Sequence, residues 1–324
     1  MRKAMSEAEV GDDVYGEDPT VIRLQTIAAE TLGTEAALFL PSGTQSNLCA
    51  LLSHCERGDE YIVGQTAHTY MYEGGGAAVF GSIQPQPLDF MPDGSLDLAM
   101  VAAAIKPDDP HYARTRLLCL ENTQGGKVLP LSYLVQAREF ADKHGLGLHL
   151  DGARIFNASV KLGVPVTNIS RHFDSVSVCL SKGLCAPVGS VLCGTGEIIG
   201  KARRWRKMLG GGMRQAGVLA AAGILSITEQ VRYLQKDHDN AQLLAKALGD
   251  FPGLEIDQNA VQTNMVFARV KTGSRQALMQ KMKSEGVMVS GARDTLRLVT
   301  HFDFNAEQIA PVAAAFSRAF ESLN

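Results

Sequence analysis

The chain has 324 residues, 45% of them hydrophobic and 20% charged, with room for one large core and a smaller one. A net charge of -3 gives no reason to expect nucleic acid or an anionic membrane as partner. No run of about 18 apolar residues exists to span a bilayer, and Met1-Arg-Lys-Ala-Met lacks the apolar core of a secretory signal.

Between about residue 20 and residue 230, β-type runs alternate with helical stretches, which predicts an α/β domain around a mostly parallel sheet. The first polar stretch, Gly11-Asp-Asp-Val-Tyr15-Gly-Glu-Asp-Pro-Thr20, reads as a loop leading into a helix near Thr20. Next, the strand Ala36-Ala-Leu-Phe-Leu runs into Pro41-Ser-Gly43-Thr44-Gln-Ser-Asn47 and an apolar helix. Unpaired N–H groups at that helix start suit a phosphate. Gly43 lets the backbone approach closely and the Thr44 hydroxyl can donate, although a plain Ser/Thr cap would look the same.

Gln65-Thr-Ala-His68-Thr-Tyr-Met-Tyr72-Glu-Gly-Gly-Gly76 follows. On a helix, His68 and Tyr72 share a face, where a flat imidazole could cover a flat ring. Leu117-Leu-Cys-Leu-Glu121-Asn-Thr-Gln124 reads as a buried strand ending in polar groups at its carboxyl edge, where open α/β sheets bind ligands. The stripe Leu134, Ala137, Phe140, Ala141 predicts a helix closed by Gly145. In Leu146-Gly-Leu-His-Leu-Asp151-Gly-Ala-Arg154 an acid closes a hydrophobic strand. Asp151 can hold a ring N–H⁺ or simply cap the next helix.

Ser175-Val-Ser-Val-Cys-Leu-Ser-Lys182-Gly is a strand with a lysine just past it. The basic cluster Arg203-Arg-Trp-Arg-Lys207-Met-Leu-Gly-Gly-Gly-Met-Arg214 contains glycines that a continuous helix would not choose. Beyond residue 234 the elements shorten. They are predicted as helix 241–247, strand 265–270, helix 274–284, strands 287–290 and 296–299, and helix 307–323. The expected division is thus a large domain over residues 1–234 and a small α+β domain over 235–324. The six cysteines form no C-x-x-C pair and lack histidines at ligand spacing, so reduced core thiols are expected and no metal site.

A helix start for a phosphate, a flat side chain, a strand-edge acid and a strand-edge lysine are together the needs of pyridoxal 5'-phosphate. That cofactor uses a lysine Schiff base and a protonated ring nitrogen.

The motifs then carry a whole-chain resemblance. Gly11-Asp-Asp-Val-Tyr-Gly, Leu38-Phe-Leu-Pro-Ser-Gly-Thr-Gln45, Glu121-Asn-Thr, Asp151-Gly-Ala-Arg-Ile-Phe-Asn157, Leu180-Ser-Lys-Gly, Arg204-Trp-Arg-Lys-Met, Gly210-Gly-Gly-Met-Arg-Gln and Arg297-Leu-Val-Thr-His301 resemble the low-specificity L-threonine aldolases. These are fold type I pyridoxal-phosphate enzymes. The resemblance implies retro-aldol cleavage of L-threonine or L-allo-threonine to glycine and acetaldehyde, in a cytoplasmic homotetramer with sites at subunit interfaces.

It also implies roles. Lys182 would hold the cofactor's aldehyde, Asp151 its ring nitrogen, and Gly43 and Thr44 its phosphate, with Lys207 and Arg214 reaching the phosphate from a neighbouring subunit. His68 would stack on the ring and is the candidate base. Arg154 and Arg297 would clamp the substrate carboxylate. Tyr15 and Tyr72 would line the site, and Gln124 would face the substrate hydroxyl.

Three departures stand out. The family's D-L-R-S-D-T-V-T-like opening is missing ahead of the first helix. Gln124 stands where the family often has histidine, so an altered diastereomer preference is expected. Cys185 replaces a usual glycine. Another fold type I activity, an aminotransferase or a β-eliminating lyase, and a non-catalytic cofactor-binding protein are the alternative readings.

Overall fold

The computed structural model describes residues 1–323, which divide into two compact units. One comprises 1–124 with 128–231, the other 125–127 with the described residues from 232 onward.

The first unit is built on seven strands: β1 (Ala36–Leu40), β2 (Asp59–Gly64), β3 (Gln84–Leu88), β4 (Arg114–Glu121), β5 (Gly147–Asp151), β6 (Ser175–Cys179) and β7 (Ser190–Gly194). Their order across the sheet is β1-β7-β6-β5-β4-β2-β3. Strand β7 runs antiparallel to both β1 and β6, and the other pairs are parallel. Parallel strands are covered on both faces, so they read as continuous rather than alternating apolar runs. Every residue of β2, β6 and β7 is buried accordingly.

Capping residues bound the intervening helices. The Pro19–Leu32 helix starts at Asp18, whose carboxylate accepts from the N–H groups of Thr20 and Val21. It stops at Gly33 in the left-handed region, as the Leu131–His144 helix stops at Gly145. The Gly196–Met208 helix ends before the three glycines at 210–212. Arg206, buried near that end, pairs with Asp13 at 2.9 Å and donates to the Phe39 carbonyl at 2.8 Å. The loop holding Tyr15 is thereby tied to the edge of the sheet.

Two features put the chemistry at one edge. Glu121 and Asp151 stand side by side in register at the carboxyl ends of β4 and β5, with Ser177 of β6 next to Asp151. Gly152 then turns the chain away from the sheet. A Cβ there would meet Val176 Cγ1 at 2.9 Å and the Ser177 carbonyl oxygen at 3.1 Å, so the turn beside Asp151 requires glycine.

The second unit has an antiparallel sheet, β10-β11-β9-β8, from β8 (Leu254–Glu255), β9 (Met265–Val270), β10 (Ser290–Ala292) and β11 (Thr295–Val299). Strand β9 alternates, with Val266, Ala268 and Val270 buried between exposed Phe267 and Arg269. Helices Leu234–Gly249, Arg275–Ser284 and Ile309–Glu321 supply Leu244, Leu248, Leu278, Met282 and Phe316 to the same core. The helix expected over 241–247 is longer, because Leu234 extends its apolar stripe by two turns. The strand expected over 287–290 is displaced to Ser290–Ala292, where the hairpin turn at Arg293 and Asp294 sets the register with β11.

Candidate active site

The Gly43–His54 helix is the first part of the site. Ser42 caps it, its hydroxyl accepting from the Gln45 N–H at 3.1 Å. The Gly43 and Thr44 N–H groups, in the first turn, have no intrahelical acceptor and point toward whatever lies ahead of the helix. Ser190 Oγ lies 3.5 Å from where a Gly43 Cβ would stand, and it is buried without a hydrogen-bond partner. A partnerless buried hydroxyl beside a helix N-terminus is the complement of an anion.

One turn on, the same helix dips into the sheet. Ser46 accepts from the Ser177 hydroxyl at 2.7 Å. Asn47, 2% exposed, donates from Nδ2 to Glu73 Oε1 at 2.8 Å and to Asp151 Oδ2 at 3.0 Å. Asp151 is also 2% exposed, and its other oxygen accepts from the Ala153 N–H at 3.1 Å.

His68 and Tyr72 do lie on one short helical turn, with ring centroids 5.8 Å apart. Glu73 Oε1 accepts from His68 Nδ1 at 2.9 Å. This bond raises the His68 pKa above its ordinary value, against desolvation, with the Asp151 charge adding to it. Burial also raises the Glu73 pKa, while the bonds from His68 and Asn47 oppose that rise. We read the pair as Glu73 carboxylate holding His68, because Glu73 receives two donors. The backbone N–H of His68 donates to Glu121 Oε2 at 2.7 Å. Burial, with the neighbouring Asp151 charge, pushes the Glu121 carboxyl up to about 7.

Lys182 is half-buried in the turn three residues beyond β6, and its charge acts on both His68 and Glu121, lowering their pKa values. The turn is closed by the Cys185 N–H donating to the Lys182 carbonyl at 2.9 Å. Cys185 has φ 64, the left-handed region that favours glycine, so a glycine would suit this position better.

The oxygens of Glu73 and Asp151 and the nitrogen of His68 lie within 4.8 Å of one another, close enough on distance alone to surround a cation. Asn47 speaks against that use. Its two amide hydrogens already occupy the face shared by the two carboxylates. The row instead suits a flat cationic ring, with an anion at the helix start, an N–H⁺ at Asp151 and a carbonyl near Lys182.

The other predicted site residues lie elsewhere. Arg154 is at the start of the Ile155–Leu162 helix, three residues past Asp151. Gln124 donates to Thr66 Oγ1 at 3.5 Å. Tyr15 is 72% exposed, and Arg214 sits 5.8 Å from its ring while pairing with Asp12 at 2.6 Å. Lys207 is exposed at the end of its helix, its chain running beside Gly212. Arg297 belongs to the second unit, exposed on β11 opposite Phe267. Asn47, Glu73 and Glu121 did not figure among the predicted site residues. Asn47 carried a signal, a buried amide heading the apolar run Leu48-Cys-Ala-Leu-Leu52, but its partners are not visible in sequence.

Comparison with known proteins accords with this geometry. The beta-eliminating lyase family matches residues 1–271. A low specificity L-threonine aldolase of Escherichia coli (strain K12) is 57% identical over 99% of this chain and 95% of its own length. A low-specificity L-threonine aldolase 1 of Arabidopsis thaliana is 44% identical over 98% of this chain and 92% of its own. Among solved structures, Leishmania major threonine aldolase superposes with a TM-score of 0.78 at 21% identity, covering 96% of this chain and 92% of that one, a likeness of fold.

Proposed function

Since this chain belongs to the beta-eliminating lyase family, and within it to the low-specificity L-threonine aldolases, we propose that it cleaves L-threonine, L-allo-threonine and related β-hydroxy amino acids to glycine and an aldehyde, with pyridoxal 5'-phosphate as cofactor. It is a lyase of the aldehyde-releasing kind. The observation that carries the reading is the row His68–Glu73–Asn47–Asp151 lying beside the capped start of the Gly43–His54 helix, within the field of the Lys182 charge.

The residues fit that cofactor at both ends. Gly43, Thr44 and the partnerless Ser190 hydroxyl would take the phosphate, and Asp151 the ring nitrogen. Bound there, the cofactor supplies an electron sink for breaking the Cα–Cβ bond. The chain's own groups do the rest. Lys182 would be the residue that holds the cofactor through Nζ. Asp151, held in place by Asn47 and the Ala153 N–H, would face the ring nitrogen. His68 would cover the ring and, with Nδ1 engaged by Glu73, would have Nε2 left for a proton of the substrate hydroxyl.

By the family resemblance, Arg154 and Arg297 would be the residues that take the substrate carboxylate. Gln124 contacts the hydroxyl as donor or acceptor and cannot act as a base near neutral pH. The exposure of Tyr15 and Tyr72, 72% and 63%, suits a site completed by a second subunit, with Lys207 and Arg214 given to the neighbour's phosphate in a cytoplasmic homotetramer.

The test is acetaldehyde and glycine release from L-threonine by the protein supplied with pyridoxal 5'-phosphate. Lys182→Ala should lower turnover by about 10⁴-fold or more, as loss of a covalent catalytic group does. Equal release by both proteins sinks the reading, and so does formation of a keto acid and ammonia instead.

A further inference from the structure

Behind the ring-nitrogen acid runs a chain of buried groups that the proposed chemistry does not touch. His149 Nε2 lies 3.2 Å from Asn47 Oδ1, and His149 Nδ1 lies 2.8 Å from Ser175 Oγ. Ser175 Oγ lies 2.8 Å from His54 Nε2. His149 and Ser175 are fully buried. Burial lowers the pKa of His149 to about 3 and that of His54 to about 4, so both rings are neutral near pH 7.

With neutral rings the direction of every bond is determined. Asn47 faces two carboxylates, so its NH₂ points at them and Oδ1 points back. Oδ1 must receive a hydrogen, so His149 carries its proton on Nε2. His149 Nδ1 is then an acceptor and takes the Ser175 O–H. Ser175 Oγ in turn accepts from His54 Nε2–H. All donors run one way, from His54 at the end of the helix to Glu73 and Asp151 at the site. An amide flipped by half a turn would set Oδ1 against both carboxylates.

We propose that His149 is a positioning residue, through which the His54–Ser175–His149 chain locks the Asn47 amide so that one side chain holds both the ring-nitrogen acid, Asp151, and the acid that steers His68, Glu73. The inference rests on the functional reading above and deepens it. It assigns work to residues that reach neither cofactor nor substrate. The charged and titratable groups facing Asp151 and Glu73 include His68, Glu121 and the buried Cys119 thiol, with Tyr61 beside Glu73 and Lys182 acting on His68 and Glu121; His149 faces His54, which in turn faces Asp174 and Lys201. Asn47 is therefore the neutral donor shared by two carboxylates, and its orientation decides whether both are held by one side chain.

The experiment compares His149→Leu with His149→Gln, both loaded with pyridoxal 5'-phosphate. The glutamine keeps an N–H donor for Asn47 Oδ1 and the leucine does not. Expected for His149→Leu is a fall in kcat of about tenfold with KM for L-threonine changed less than about threefold. The pH midpoint of the visible band of the lysine-bound cofactor should rise by about 0.5 unit or more, since a carboxylate that Asn47 no longer holds in place is less well aimed at the ring nitrogen. His149→Gln should keep both close to the wild type. Equal losses in the two variants overturn the proposal in favour of a packing role, and wild-type behaviour in both overturns it outright.

If His149→Leu does not fold, Ser175→Ala reads the same lock with no added bulk. A shift of its band midpoint in the same direction supports the proposal, and an unmoved midpoint overturns it. The wild type separates this result from the reading it rests on. A wild-type protein that shows no lysine-dependent visible band fails the functional reading itself, whereas a normal wild type with unaffected variants fails only the lock.

Discussion

The two sheets of this protein bury different things. The four-stranded sheet of the second unit buries what its alternation predicts, Val266, Ala268 and Val270 from β9 against Leu244 and Phe316. The seven-stranded sheet and the helix packed on it bury His149, Asn47, Glu73, Asp151, Ser46, Ser175 and Ser177, each of them hydrogen-bonded. Burying apolar surface needs only the right shape. Burying polar groups needs every partner in place, because an unpaired one costs about 1–3 kcal/mol. The second sheet is a core, and the first is a core that carries a site along one edge.

The largest expected effect tests the apolar side. Phe316 is fully buried, so Phe316→Ala should cost about 3–5 kcal/mol of stability in chemical denaturation. A loss below about 1 kcal/mol would mean that the second core is far looser than its burial shows.

The next tests the polar side by acid. His54 and His149 resist protonation down to about pH 4 and 3, while the unfolded chain takes up those protons near the ordinary 6.5. The unfolded state therefore binds more protons, and stability falls as pH drops from 6.5 toward 4. The two histidines together contribute up to about 2.7 kcal/mol per pH unit. Denaturation measured at pH 7, 6 and 5 should show this slope, and His149→Gln should roughly halve it. An unchanged slope in that variant would remove the buried histidines as its cause.

The smallest concerns Glu121. Its pKa, raised from 4.5 to about 7, means that the folded state holds this proton more tightly than the unfolded one. Its stabilising contribution is complete below pH 4.5 and fades as pH rises through 7. Glu121→Gln, which keeps an acceptor for the His68 N–H, should thus gain on the wild type between pH 4.5 and 8. The gain should be on the order of 2 kcal/mol, because the residue is only partly buried. If the difference between the two proteins is the same at both pH values, Glu121 is not the proton holder described.

The same contrast explains what the sequence made legible. Strand β9 could be placed over 265–270 because alternation is local, and Gly145 marked a helix end for the same reason. Lys182 and Asp151 stood out because each ends a strand with a group that a strand seldom needs. The pairings behind them were not legible. Asn47 meets Asp151 across 104 residues and His149 across 102, and His54 meets Ser175 across 121. No period or spacing encodes such a contact, since it exists only once the sheet order β7-β6-β5-β4 is known. Cys185 is a smaller case. Its departure from the family's glycine becomes intelligible only with its φ of 64.

One helix presents Gly43 at its start and Asn47 four residues later. At 1.5 Å per residue the two are separated by about 6 Å along the axis, and the rod between them cannot stretch. The start of the helix is thus a ruler with an anion stop at one mark and, through Asn47, a carboxylate stop at the other. A ligand carrying only the ring or only the phosphate would meet one stop and rattle against the other, so the spacing of the two marks is itself a means of selecting the molecule that belongs there.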